Sequence, residues 1–85
     1  MFYIYVIVSE SSFLRFYVGF TADINKRLKE HNSGKTKSTR GYVPWKIFFV
    51  EHYKTRKEAL EREKYLKGGS GKEKIKQKWF RSSAG

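Results

Sequence analysis

Residues 2–8 alternate between two faces. Phe2, Ile4, Val6 and Val8 fall on one, and Tyr3, Tyr5 and Ile7 on the other. A period of two predicts a β-strand. Ser9-Glu10-Ser11-Ser12 reads as a polar turn. Residues 14–20 alternate again, with Phe16, Val18 and Phe20 opposite Arg15 and Tyr17. The two segments are expected to form an antiparallel hairpin through a turn at 9–13. If Val8 pairs with Leu14, Tyr5 falls opposite Tyr17. Cross-strand partners share a face, so both phenols would point the same way.

Gly19 loosens the strand end, and Thr21 is a candidate cap for a helix whose first turn contains Asp23. Ile24 and Leu28 supply its apolar stripe. Arg27 and His31 lie four residues apart along one edge of it. Asn32-Ser33-Gly34 should stop this helix. Lys35 to Tyr42 is a basic, hydroxyl-rich loop ended by Pro44, and 45–53 reads as a third strand. Thr55 with Glu58 has capping-box spacing and opens a second helix through about Lys67, with Ala59, Leu60 and Leu66 toward the core. After Gly68-Gly69, Ser70 with Glu73 repeats that spacing before a short last helix carrying Ile75 and Trp79. The expected order is β-β-α-β-α-α, an α+β fold with a small, largely antiparallel three-stranded sheet flanked by helices. Residues 1–80 form one domain, and 81–85 a frayed tail.

A chain of 85 residues buries a modest core, so its seven Phe, six Tyr and two Trp carry much of the packing. Cysteine is absent, which excludes a disulfide framework and a thiolate metal site and suits a reducing compartment. The longest apolar run, Ile4–Val8, is too short to span a bilayer, so the expectation is a cytoplasmic protein with no membrane association. The charge changes the picture most. Nineteen Lys and Arg against eight Asp and Glu leave a net charge of +11. Self-repulsion of that size points to a polyanionic partner, and nucleic acid is the first candidate. The basic residues form no amphipathic tract with large apolar anchors, so a membrane surface ranks lower.

Glu63 is the most informative single residue. It falls among Ala59, Leu60 and Leu66, and a carboxylate on a core-facing stripe must be paired or hold a cation. Spacing alone favours a boundary ion pair with a nearby Lys or Arg. The other reading is a ligand to a hard metal such as Mg²⁺, which often takes only one or two protein carboxylates. Tyr5 and Tyr17 read, on their own, as packing residues at the edge of a core. Arg27 reads as a surface cation, His31 as a helix-end residue favouring the C-terminal dipole, and Lys35–Arg40 as a solvated loop.

Taken together, these residues resemble the GIY-YIG nuclease superfamily, in particular its small single-domain branch, similar to the N-terminal catalytic domain of the bacterial repair excinuclease. The resemblance runs from Phe2 to about Lys74. Its first motif appears as Tyr3-Ile4-Tyr5 and its second as Tyr17-Val18-Gly19. Thr21, Arg27 to Asn32, Gly34-Lys35, Pro44-Trp45-Lys46 and Ala59 to Lys64 follow in order. The resemblance implies a metal-dependent endonuclease acting in DNA repair or processing, on DNA ahead of RNA, with no obligate protein partner. It implies that Glu63 holds a single Mg²⁺ or Mn²⁺ and that Tyr5 helps deprotonate the attacking water. Tyr17 would shape the site, Arg27 would stabilise phosphoryl charge, and His31 would assist the tyrosine or the substrate. All five are expected to converge on one concave site, with the second helix bringing Glu63 against the tyrosine face. Lys35, Lys37, Thr39, Arg40 and Lys46 are the expected nucleic-acid contacts. Two positions depart from the family pattern: Tyr3 replaces the glycine of the first motif, and Phe20 replaces a lysine after the second. The alternatives are a non-catalytic nucleic-acid-binding module on the same fold, and a basic adaptor on an acidic ribonucleoprotein surface.

Overall fold

The alternating segments pair as their pattern requires. The computed structural model describes residues 1–12 and 15–84. Strand β1 (Phe2–Ser9) lies between β2 (Phe16–Thr21) and β3 (Trp45–Tyr53), antiparallel to both. Helices α1 (Ile24–Asn32), α2 (Arg56–Lys67) and α3 (Gly69–Ala84) complete the expected α+β order. A single turn of 3-10 helix at Arg40–Tyr42 precedes β3. No helix of the described residues is long and apolar enough to cross a membrane.

The central strand is buried continuously from Ile4 to Ser9, because both faces of the sheet are covered. Ile4, Val6 and Val18 pack with Ala59 and Leu66 of α2 and Ile75 of α3. Tyr5, Ile7 and Trp45 form the second core, against Tyr17, Ile24, Leu28 and Tyr42. Thus α1 covers the tyrosine face, and α2 with α3 covers the other. Leu60, expected in the core, is 37% exposed, since the buried stripe of α2 runs through Ala59 and Leu66. Between Val6 and Ile7 the partner on β3 steps from Phe49 to Ile47. Phe48 is the extra residue of this bulge, and Phe48 and Phe49 both join the core under α2 and α3. There Trp79 meets the Phe16 and Phe48 rings edge-on.

The hairpin register differs from the expected one by two residues. Val8 pairs with Phe16 and Ile7 with Tyr17, so Tyr5 faces Gly19 and meets Tyr17 only diagonally. Leu14, the expected partner of Val8, and Phe13 of the expected turn lie outside the described residues. A two-residue slip keeps every side chain on its face, so alternation cannot distinguish the two registers. Gly19 does distinguish them. A Cβ built there would overlap the phenol carbon and oxygen of Tyr5. The ring lies across the backbone of β2, and only glycine leaves that space.

Helix starts are also refined. Asp23, not Thr21, caps α1: its carboxylate accepts from the Lys26 N–H at 3.1 Å, while Thr21 braces the Asp23 backbone. Ala22 therefore precedes the helix. Thr55 caps α2 as expected, accepting from the Glu58 N–H and donating to its carboxylate. The second capping box, expected at Ser70 and Glu73, is not used as a start, because α3 already begins at Gly69. Gly71, buried against the Tyr65 carbonyl and the Leu66 backbone, lets the two helices meet that closely. Of the segment 81–85, expected to fray, the residues through Ala84 are helical, and Gly85 lies outside the described residues.

Gly19→Ala should destabilise the fold by about 1–3 kcal/mol, the usual range for forced overpacking. The loss should shrink in a Tyr5→Ala background, where the ring is gone. Denaturant unfolding of the two single variants and the double variant measures this. Additive losses would show that the Tyr5 ring does not occupy the space beside Gly19.

Candidate active site

Four of the five expected catalytic residues meet at one point on the tyrosine face. β1 holds Tyr5 in the centre of the sheet, 3% exposed, with its ring directed over Gly19. Tyr17 follows diagonally, ring centroids 6.3 Å apart. Ile24 and Leu28 seat α1 against this face, which turns Arg27 and His31, one helical turn apart, toward the phenols. His31 is fully buried, its ring 4.8 Å from that of Tyr17.

The hydrogen bonds form one relay. The Arg27 Nε–H donates to the Tyr5 hydroxyl oxygen at 3.2 Å. That hydroxyl lies 2.8 Å from His31 Nε2, and His31 Nδ1 lies 2.8 Å from Thr39 Oγ1. The Thr39 hydroxyl donates to the Thr36 carbonyl at 3.4 Å. With that proton committed, Thr39 accepts from Nδ1–H, and His31 Nε2 accepts from the Tyr5 O–H. This assignment gives every buried polar atom of the relay a partner of the right kind.

Thr39 is a correction. Expected among the nucleic-acid contacts, it is 1% exposed and holds the inner end of this relay. Its own carbonyl accepts the indole N–H of Trp45 at 2.8 Å. Asn32, at the end of α1, accepts from the Trp45 N–H and donates to its carbonyl, which ties loop 33–44 to β3. No sequence signal separates Thr39 from Thr36 or Ser38. Lys35, Lys37 and Arg40 of the same loop are exposed, as a phosphate-binding surface requires. Lys46 is exposed but pairs with Val8, and so shares the opposite, helix-covered face.

Glu63 is the second correction. Its expected place is against the tyrosine face, yet α2 packs on the other one. Both faces of the sheet are apolar, so the helices must divide between them. Lys67, which reaches Tyr17 at the free edge of β2, links Glu63 to the tyrosines. The Glu63 carboxylate pairs with Lys67 at 3.4 Å, and the Lys67 ammonium lies 5.9 Å from the centre of the Tyr17 ring. Its charge is also among those that raise the Tyr5 pKa. Among the described residues no three acidic, histidine or cysteine side chains cluster as a metal cage. A lone carboxylate suits Mg²⁺ or Mn²⁺, which fill their other positions with water and phosphate oxygens.

Burial pushes the Tyr5 phenol up to about 12, against the opposing hydrogen bond from Arg27. Burial, aided by the positive charge of Arg27, pushes the His31 imidazole down to about 4. His31 is therefore neutral at pH 7, with a ring nitrogen able to accept a hydrogen bond, so the charge–dipole interaction open to a protonated helix-end histidine is not made. Arg27 also pairs with Glu30 at 3.2 Å, holding its guanidinium beside the phenol.

Two outcomes follow. A depressed imidazole pKa stabilises the fold fully above about 6.5, and this contribution is lost as pH falls toward 4. Replacing His31 with Asn should flatten the stability–pH curve over that interval, whatever it costs in absolute stability. Thr39→Val, which leaves Nδ1–H unpaired, should cost about 1–3 kcal/mol, and Thr39→Ser should restore most of it. Chemical denaturation across pH measures both, and an equal loss for Val and Ser would show that the hydroxyl is not holding His31.

The GIY-YIG catalytic domain family matches residues 1–76. A UPF0213 protein of Bacillus licheniformis is 42% identical over 73 residues, covering 85% of this chain and 73% of that one. A UPF0213 protein of Haloquadratum walsbyi is 41% identical over 66 residues, covering 76% and 74%. The solution NMR structure of UPF0213 protein BH0048 from Bacillus halodurans matches with a TM-score of 0.53 at 30% identity, covering 91% of this chain and 84% of that one. Motif order, fold and these likenesses agree: the chain belongs to the GIY-YIG catalytic domain family.

Proposed function

We propose that this protein is a divalent-metal-dependent endonuclease that hydrolyses phosphodiester bonds in nucleic acid, DNA ahead of RNA. The observation that carries the reading is the position of the Tyr5 hydroxyl, between the Arg27 guanidinium and a neutral imidazole. A module that only binds nucleic acid needs no such relay. On the excinuclease resemblance, we assign the activity to DNA repair or processing, in the cytoplasm.

The relay answers a difficulty of the phenol itself. A free phenol has a pKa of about 10 and is a poor base at neutral pH. Burial makes a bare Tyr5 phenolate less accessible still. If Tyr5 passes its proton to His31 Nε2 as it accepts one from the attacking water, no phenolate accumulates. Thr39 keeps Nε2 unprotonated and aimed at Tyr5. An entering phosphate adds negative charge beside His31, which favours the protonated imidazole. Arg27 is placed to meet the phosphoryl oxygens as their charge grows. Glu63 would hold the cation, once freed from Lys67. When bound, that cation supplies Lewis-acid stabilisation of the departing oxygen.

One observation favours the non-catalytic alternative. The Glu63–Lys67 pair is the boundary ion pair that spacing alone suggests. Cleavage assays separate the two readings. Wild-type protein with plasmid, branched and single-stranded DNA should cut in Mg²⁺ or Mn²⁺. Glu63→Ala should lose cleavage yet bind DNA in EDTA like wild type. Tyr5→Phe should slow cleavage by about 10²–10⁴-fold, the usual range for general acid–base groups. Undiminished cleavage by Glu63→Ala would refute the assignment.

A further inference from the structure

A cavity of about 390 Å³ opens at the free edge of β2, on the side where α2 passes into α3. Tyr17 forms part of its wall, so it adjoins the candidate site. Its floor is apolar, from Phe16, Val18 and Ile75, and its rim carries Arg15, Lys67, Lys72 and Lys76. Lys72 and Lys76 stand one turn apart on α3, on either side of the buried Ile75. Among the described residues no carboxylate pairs with Arg15, Lys72 or Lys76. Arg15 is steadied instead by stacking on the Tyr42 ring at 4.4 Å. Lys67 joins this rim to Glu63.

The edge of β2 adds donors of its own. The Ser9 N–H donates to the Arg15 carbonyl, which makes that pair a hydrogen-bonded one. In an antiparallel ladder such pairs alternate, so Tyr17 and Gly19 bond inward to β1. The N–H groups of Phe16 and Val18, together with their carbonyls, then point outward, to the open edge that walls the cavity.

Outward amide hydrogens, the cations of Arg15, Lys72 and Lys76 beside the paired Lys67, and a concave wall suit a phosphodiester. We propose that this cavity seats a backbone phosphate of the nucleic-acid strand, next to the one at Tyr5. This rests on the nuclease reading for its placement along the strand, but its binding chemistry needs no metal. The strand would then run from the exposed Lys35–Arg40 loop, past Tyr17 at the margin of the tyrosine face, to the β2 edge.

The test is binding in EDTA, so that no cleavage intervenes. The Lys72→Gln/Lys76→Gln variant should bind a labelled oligonucleotide less tightly than wild type. Its plot of log affinity against log salt should flatten by about 0.7–0.9 for each phosphate no longer neutralised. Lys57→Gln/Lys64→Gln, which removes equal charge from exposed positions of α2 away from the cavity, is the control and should change the slope less. In ¹⁵N NMR titrations the Phe16 and Val18 amides should shift with oligonucleotide, and much less with inorganic phosphate at the same phosphate concentration. Equal slopes for the two double variants, or unmoved amides, would overturn the proposal. Equal shifts with inorganic phosphate would also overturn it, assigning the cavity to a free anion. A protein that binds as described but never cleaves refutes only the enzymatic reading, whereas one that cleaves with an unchanged slope refutes only this site.

Discussion

The hydroxyl of Tyr5 is the point on which the rest of this structure depends. It is buried at the centre of the sheet, and a buried hydroxyl left without partners costs about 1–3 kcal/mol. Its partners come from far along the chain. Gly19 must leave room for the ring, α1 must bring Arg27 and His31, and loop 33–44 must fold inward to place Thr39 behind the imidazole. Each bond is useful only if the next is made, since a half-satisfied buried network is worse than none. This constraint orders a loop that, by its charge alone, would stay in solvent.

The same constraint divides the molecule. One sheet face is given to the phenols, imidazole and guanidinium under α1, and the other to aliphatic and aromatic packing under α2 and α3. Chemistry on the first face and a carboxylate on a helix of the second can cooperate only around an open edge. β2 is that edge. Glu63 and Lys67 therefore stand where the two layers meet, beside Tyr17, and the basic charge of the chain continues from there along α3.

Much of this is legible in the residues. Strict alternation places β1 and sets the phenols on one face, and the apolar run of 45–53 matches β3 to the residue. The 27/31 spacing puts Arg27 and His31 on one edge of α1. What escapes has physical causes. A register slip of two residues leaves every face unchanged, so the pairing of Tyr5 with Gly19 requires the steric fit of ring and glycine. Thr39 looks like one hydroxyl among several in a basic loop, and only the folded loop buries it. The helix that carries Glu63 packs on the other face from the one expected because helix periodicity reports which residues are buried, not which side of a two-sided sheet they are buried against. For Glu63 the spacing also allows both an ion pair and a metal site, and the carboxylate lies in ion-pair contact with Lys67.

The central claim is that His31 is neutral and accepts the Tyr5 proton through Nε2. ¹⁵N NMR of the imidazole nitrogens through a pH titration tests it most directly. The predicted result is a neutral ring with the proton on Nδ1, persisting until the pH falls to about 4. A proton on Nε2, or titration near the free value of about 6.5, would contradict it.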